Sequence, residues 1–280
     1  MTPKRFVYRA WIRILECCMM MHAYKHCFSY KLPLVALPRN AEKSPCVDVV
    51  TVAYNNDFVI AQQIRLVTKY FDEGMHYIVA DNSSVAEKSE AIRTLCLDHN
   101  VSYVRLPKNR LGLISPSYSH AAALNWVYRK IIRKRRPEYF GFIDHDLFPV
   151  APITITRLFA LSPVYGYLRE SGPYWYLWPG LCFFCYGYVS HHHVDFMPVK
   201  MGGHYLDTGG GNWRGIYASL IKDASNEVQV EQVKLREGSN YYGDGIQYFD
   251  QRLWLHTING SYWQNVPNKD DLIASILDKY

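Results

Sequence analysis

The stretch Glu138-Tyr139-Phe140-Gly141-Phe142-Ile143-Asp144-His145-Asp146 decides how this chain folds. Residues 139–143 form a short apolar and aromatic run, the composition of a buried strand. The run ends on two carboxylates flanking a histidine, followed by Leu147-Phe148-Pro149. A strand that runs straight into two acids places them at its carboxyl end, where ligands bind in open α/β sheets. Oxygen donors at i and i+2 on a strand end can both reach one site. Asp carboxylates suit hard divalent cations, and such cations commonly carry substrate phosphates. An isolated Asp-x-Asp more often closes a surface turn, so the flanking sequence has to decide.

Working back from this strand, the chain alternates. Residues 47–53, Val-Asp-Val-Val-Thr-Val-Ala, predict a buried parallel strand. Tyr54-Asn55-Asn56-Asp57 is a turn, with Asp57 the expected helix N-cap. Residues 58–71 carry apolar positions at helical spacing. Residues 76–80 predict a second strand closed by Asp81-Asn82-Ser83-Ser84, 86–99 a second helix and 101–106 a third strand. A loop over 107–116 holds Asn109-Arg110-Leu111-Gly112, and 119–136 predicts a third helix. Short apolar strands alternating with helices predict an α/β protein, with a mostly parallel central sheet flanked by helices. The loops at 54–57, 81–84, 109–112 and 144–146 then face one cleft. Beyond residue 150 the pattern is irregular, as expected of an α+β second half. Residues 175–186 mix aromatics with turn residues, and 207–213 is a Gly-rich loop leading to a helix near 216–221. Residues 247–255 alternate like a strand, and 271–280 predict a last helix.

With 280 residues the chain can bury a large core, and 49% hydrophobic against 20% charged residues is globular composition. The 23 Tyr suit carbohydrate platforms and cores alike. Much of the +6 net charge lies in residues 1–45. There Lys4, Arg5, Arg9 and Arg13 interleave with Trp11, Ile12, Leu15 and Met19. Such a basic amphipathic segment can lie on an anionic membrane or pack on the domain with its charges in water. No apolar run reaches spanning length, and no secretory signal is evident. Seven Cys at irregular spacings predict reduced thiols and a cytoplasmic protein, with peripheral membrane contact as an option. Cys182-x-x-Cys185 beside His191-His192-His193 offers a zinc reading, but residues 182 and 185 of a strand face opposite sides. The cations at 129–136 end a helix, where they suit its dipole or a phosphate-rich partner. No Gly-x-Gly-x-x-Gly follows the first strand, which argues against a dinucleotide-dependent dehydrogenase.

Four stretches in order resemble a GT-A glycosyltransferase of the family 2 type. They are Val50-Thr51-Val52-Ala53-Tyr54-Asn55, then Val79-Ala80-Asp81-Asn82-Ser83-Ser84, then Asn109-x-x-Gly112 with Ser119-His120-Ala121-Ala122-Ala123-Leu124-Asn125, and Phe142-Ile143-Asp144-His145-Asp146. The resemblance covers residues 47–150 and is loose beyond. It implies a single GT-A domain over 46–280, with a nucleotide-binding half at 46–150 and an acceptor-binding half at 151–280, behind the 1–45 extension. It implies a transferase that moves a sugar from a nucleotide-sugar donor to a glycan or lipid-linked acceptor, with inversion, using Mn2+ or Mg2+. Ala53, Tyr54 and Asn55 would border the base, and Asp81 would bind the base or ribose. Asn109, Arg110 and Gly112 would line the pocket. Ser119 and His120 would begin a helix whose N–H groups favour phosphate. Asp146 would hold the metal, and Asp144 the ribose or a metal-bound water. His256 resembles a late His that reaches back to the metal, or is an ordinary strand-end His. Asp207 is the expected base, or an N-cap, with Asp195 and Asp244 as rivals. No nucleic acid partner is expected. The other class of function is a catalytically silent carbohydrate-binding or scaffold protein with this fold.

Overall fold

The computed structural model describes residues 11, 14, 17, 18, 21, 47–71, 74–108, 111–113, 115–222, 226–234, 245–257 and 268–280. Its centre is the alternating unit expected from the sequence. Strand β1 (Val47–Ala53) is followed by helix α1 (Asp57–Tyr70), β2 (Met75–Asp81), α2 (Ala86–Asp98), β3 (Ser102–Arg105), α3 (Pro116–Val127) and β4 (Tyr139–Asp144). β1 lies between β2 and β4 and is parallel to both, with Ala53 beside Asp81 and Val52 beside Asp144. β1 is buried along its whole length because helices cover both of its faces. Val50 and Val52 point into a core with α3, while Val47 and Val49 point into a second core with α1 and α2.

Later elements complete the sheet. They are β5 (Leu147–Pro149), β6 (Val164–Ser171), β7 (Tyr174–Cys185), β8 (Val199–Met201), β9 (His204–Leu206), β10 (Asn226–Glu227), β11 (Val230–Lys234), β12 (Gly245–Phe249), β13 (Trp254–Thr257) and α4 (Lys269–Leu277). The main sheet has the order β10-β6-β7-β4-β1-β2-β3, and a second, antiparallel sheet has the order β11-β12-β13-β5. β7 is antiparallel to β4, and β6 is antiparallel to β7. On β4, Gly141 leaves room for Phe183, whose ring lies 2.1 Å from where a Cβ would stand.

Several boundaries differ from expectation. Asn56, not Asp57, caps α1: its side chain accepts from the Val59 N–H at 3.1 Å, and Asp57 becomes the first helical residue. α3 begins at Pro116 and continues through a π-helical turn at Tyr128–Ile132 to Arg133–Arg135. Residues 175–186 are mostly one long strand. Pro179 and Gly180 fall where the β6–β7 register shifts, so the missing proline N–H breaks no ladder bond. Residues 247–255 are a hairpin rather than one strand, because Asp250, Gln251 and Arg252 all take positive φ and turn the chain. Residues 216–221 hold a 3₁₀ turn at Tyr217–Ser219 in place of an α-helix.

Candidate active site

The carboxyl ends of β1, β2 and β4 meet on one edge, and their loops are tied together by side chains. Asn55 sits at φ 51° and uses its amide as a staple. Its Oδ1 accepts from the N–H groups of Ser84 and Val85 at 2.9 and 3.0 Å, and its Nδ2 donates to Ser84 Oγ at 2.9 Å. The exposed Tyr54 ring ends at the same Ser84 hydroxyl, 3.2 Å away. Asn82 donates to Ser119 Oγ at 3.2 Å, and Gly112 lies against Ser119, which links three of the strand-end loops. Asn109, Arg110 and Asp244 lie outside the described residues.

Two expectations need correction. Asp81 is fully buried, and its carboxylate is filled from within. It accepts from the Ser83 N–H at 2.8 Å, Ser89 Oγ at 2.5 Å and Tyr103 Oη at 2.7 Å, and pairs with Arg105 at 2.9 Å. It therefore braces the pocket wall and offers no face to a base or ribose. Ser119 and His120 do not begin their helix. The Ser119 N–H is already spent on the Ser115 carbonyl at 3.2 Å, so no free backbone donors remain there for phosphate. Instead the His120 ring faces Asp144, with Nε2 3.6 Å from Oδ1.

The Asp144-His145-Asp146 turn is pinned through its backbone. Thr51 Oγ1 donates to the Ile143 carbonyl at 3.0 Å. Gln63, fully buried on α1, donates to the carbonyls of Asp144 and Leu147 at 2.8 and 2.6 Å and accepts from Tyr77. The Thr257 N–H donates to the Asp146 carbonyl at 3.0 Å. Nothing in the sequence marks Gln63, which reads as one polar residue in a helix. Gln63→Leu strands the buried Leu147 carbonyl and the half-buried Asp144 carbonyl and should cost about 1–3 kcal/mol. Chemical denaturation measures this, and an unchanged midpoint would show that the clamp carries no load.

The second sheet delivers His256 to the turn. β13 pairs with β5, placing His256 beside Leu147, and with β12, placing it beside Gln247. His256 Nδ1 lies 3.0 Å from Gln247 Oε1, and an amide oxygen can only accept, so Nδ1 carries the proton. In the neutral ring a bare Nε2 then faces Asp146 Oδ1 at 3.5 Å. Burial alone would raise the Asp146 carboxyl, but His256 and His145 in their protonated forms, with Lys269, outweigh it and hold it at about 2. Lys269, buried at the start of α4, was also not evident in the sequence; burial lowers its pKa, against the pull of Asp146. Enclosure raises the Asp144 carboxyl and Asp146 adds to this, against the opposing pull of His120.

The three expected metal ligands therefore divide into two pairs, Asp144 with His120 and Asp146 with His256. Among the described residues no three His, Cys, Asp or Glu form a ready cage for a metal ion. The Asp146–His256 pair nevertheless fits a cation completed by substrate oxygens. Two acceptors facing each other are satisfied by a shared proton or cation, and the amide on the far nitrogen fixes the ring for the latter.

Asp207 stands on the rim. Its Oδ1 accepts from the Thr208 N–H at 2.8 Å, and the residue is exposed. Thr208 Oγ1 donates to the Ser117 carbonyl at 3.2 Å, which docks this loop on the start of α3. Gly209, at φ 95°, lies against the Leu177 carbonyl and Pro179 of β7, where a Cβ would clash at 2.7 Å. The rival Asp195 is buried, accepting from Asn125 Nδ2 at 2.8 Å and the Met197 N–H at 3.0 Å, so it is a brace. Cys182 is buried and Cys185 partly so, and among the described residues no three His, Cys, Asp or Glu come together, so the Cys pair and the histidines at 191–193 do not assemble a zinc cage.

No protein-family model matches the chain, and no curated protein matches its sequence. Among solved structures it is similar to a mannosyltransferase of Pyrobaculum calidifontis in complex with GDP-Man and Mn2+, at 14% identity and TM-score 0.40, over 61% of this chain and 53% of that one. It is similar to the bifunctional glycosyltransferase WbbM at 17% identity and TM-score 0.37, over 56% and 34%. It is also similar to glucosyl-3-phosphoglycerate synthase of Mycobacterium tuberculosis at 15% and 0.36, over 59% and 69%. The match thus spans about half or less of the first two.

Proposed function

We propose that the protein is a metal-dependent glycosyltransferase of GT-A type, moving a sugar from a nucleotide-sugar donor to a glycan or lipid-linked acceptor with inversion. One observation carries the proposal. At the carboxyl end of the central strand, Asp146 faces the bare nitrogen of a His256 ring oriented by Gln247, on a turn clamped at four carbonyls. Asp146 and His256 would hold Mn2+ or Mg2+, which supplies charge stabilisation to the departing diphosphate. The chain does the rest. Tyr54 offers an exposed ring for the base, on a loop that Asn55 keeps in place. His120 holds Asp144 at the edge of the sugar site, for a ribose hydroxyl or a metal-bound water. Asp207, across the cleft, would accept the proton of the attacking acceptor hydroxyl.

The divided acid pairs also suit the second reading, a catalytically silent carbohydrate-binding protein of the same fold. Incubation with a panel of nucleotide sugars separates the two. The transferase releases nucleoside diphosphate from at least one donor only when Mn2+ or Mg2+ is present. Absence of release from every donor, with metal and without, would leave the silent binder as the better account.

A further inference from the structure

The edge of the sheet opposite the cleft gathers features that the proposed chemistry does not use. β1 begins there at Val47, so residues 1–46 join the domain at this edge. The helical stretch that starts at Pro116 by the cleft ends there too, and the Arg135 guanidinium pairs with Asp48 of β1 at 2.8 Å. Arg133, Lys134 and Arg136, at the end of that stretch, are exposed. β6 runs parallel to β4, so Leu161, just before β6, stands on the same edge, 76% exposed. Acids stand on this edge as well: Asp48 is buried against Arg135, Glu138 and Asp98 are exposed, and Asp72 and Glu73 precede β2 in the sequence, so the edge itself is of mixed charge and the basic excess comes from the N-terminal segment.

The N-terminal segment adds an apolar face. Trp11, Ile14, Cys18 and Met21 are helical and recur at i, i+3, i+7 and i+10, which aligns them on one side of a helix. Trp11, Ile14 and Met21 are 63%, 60% and 57% exposed. Around them the sequence carries Lys4, Arg5, Arg9 and Arg13 against Glu16. An apolar stripe among cations, on a chain that enters the domain at an edge with three more exposed cations and an exposed leucine, matches a surface that is apolar inside and anionic outside. A nucleic acid would satisfy the cations but leave Trp11, Ile14 and Met21 in water.

We propose that this edge, with the N-terminal apolar face, seats the protein on an anionic lipid surface without crossing it. Among the described residues no helix is long and apolar enough to span a membrane. The cleft then opens about 30 Å from the lipid, the length of the Pro116–Arg135 stretch at ~1.5 Å per residue. The inference does not depend on the proposed reaction, since none of its residues has a role in that chemistry.

Flotation of the full chain with phosphatidylcholine vesicles, with and without phosphatidylserine, tests it. Binding should require phosphatidylserine and weaken with salt. Arg133→Glu with Lys134→Glu and Arg136→Glu should cut the bound fraction about tenfold or more, as should Trp11→Ser with Ile14→Ser and Met21→Ser. Thermal unfolding should stay as in the wild type; Lys134→Glu alone, with a smaller loss, serves where the triple variant is unstable. Absence of flotation, equal binding to neutral vesicles, or wild-type binding by both variants overturns the proposal. So does displacement from the vesicles by single-stranded nucleic acid at equal phosphate concentration, which would make this a nucleic acid surface.

Discussion

Asp146→Asn lowers sugar transfer at least about a hundredfold and leaves the fold intact. The amide keeps the shape of the side chain, and the backbone bond from Thr257 to the Asp146 carbonyl is untouched. What disappears is a charge that Lys269 and, when protonated, His256 and His145 stabilise. A cation held by one carboxylate and one imidazole loses its only charged protein ligand of the pair. Loss of a few kcal/mol of charge stabilisation at the leaving group corresponds to two or more decades in rate. Assay at limiting Mn2+ is the check, because saturating metal can mask weakened binding. Wild-type activity under that condition would remove Asp146 from the metal site.

Asp207→Ala lowers the turnover number by two or more orders of magnitude, the contribution of a positioned base. Nucleotide affinity stays near wild type. The carboxylate sits on the Thr208–Gly209 loop that docks against Ser117 and Pro179, on an element separate from those that carry Asp146 and His256. One of its oxygens is engaged by the Thr208 N–H, which fixes the group while the other remains open to an acceptor. The structure removes one rival, since the Asp195 carboxylate is buried among donors from its own loop and Asn125. Steady-state kinetics together with nucleoside diphosphate binding separate the outcomes. A parallel loss of donor affinity would make Asp207 a donor ligand, and no loss of either would leave it a loop brace.

The alternating half of the chain was legible because its strands are short, β-branched and buried on both sides. Such runs admit no other placement between amphipathic helices. The position of Asp144 and Asp146 at a strand end followed from the same pattern. What the sequence could not display is contact between distant segments. Gln63 reaches the Asp-His-Asp turn across more than eighty positions. His256 acquires its orientation from Gln247 only because residues 250–252 turn the chain without glycine or proline. Pro179-Gly180 signals a turn locally, yet the bulge in β7 absorbs it. Asp81 matched the expected motif in position but not in exposure, since its four partners come from three elements. Ser119 lost its expected role by a shift of three residues in the start of α3.

The central claim is that Asp146 and His256 hold a divalent cation which in turn holds a nucleotide diphosphate. Thermal unfolding of the wild type and of Asp146→Asn, with a panel of nucleoside diphosphates and with or without Mn2+, tests this directly. The account predicts that at least one nucleoside diphosphate stabilises the wild type only when Mn2+ is present, and that Asp146→Asn loses this shift. Equal stabilisation with and without the metal, or an undiminished shift in Asp146→Asn, would contradict it.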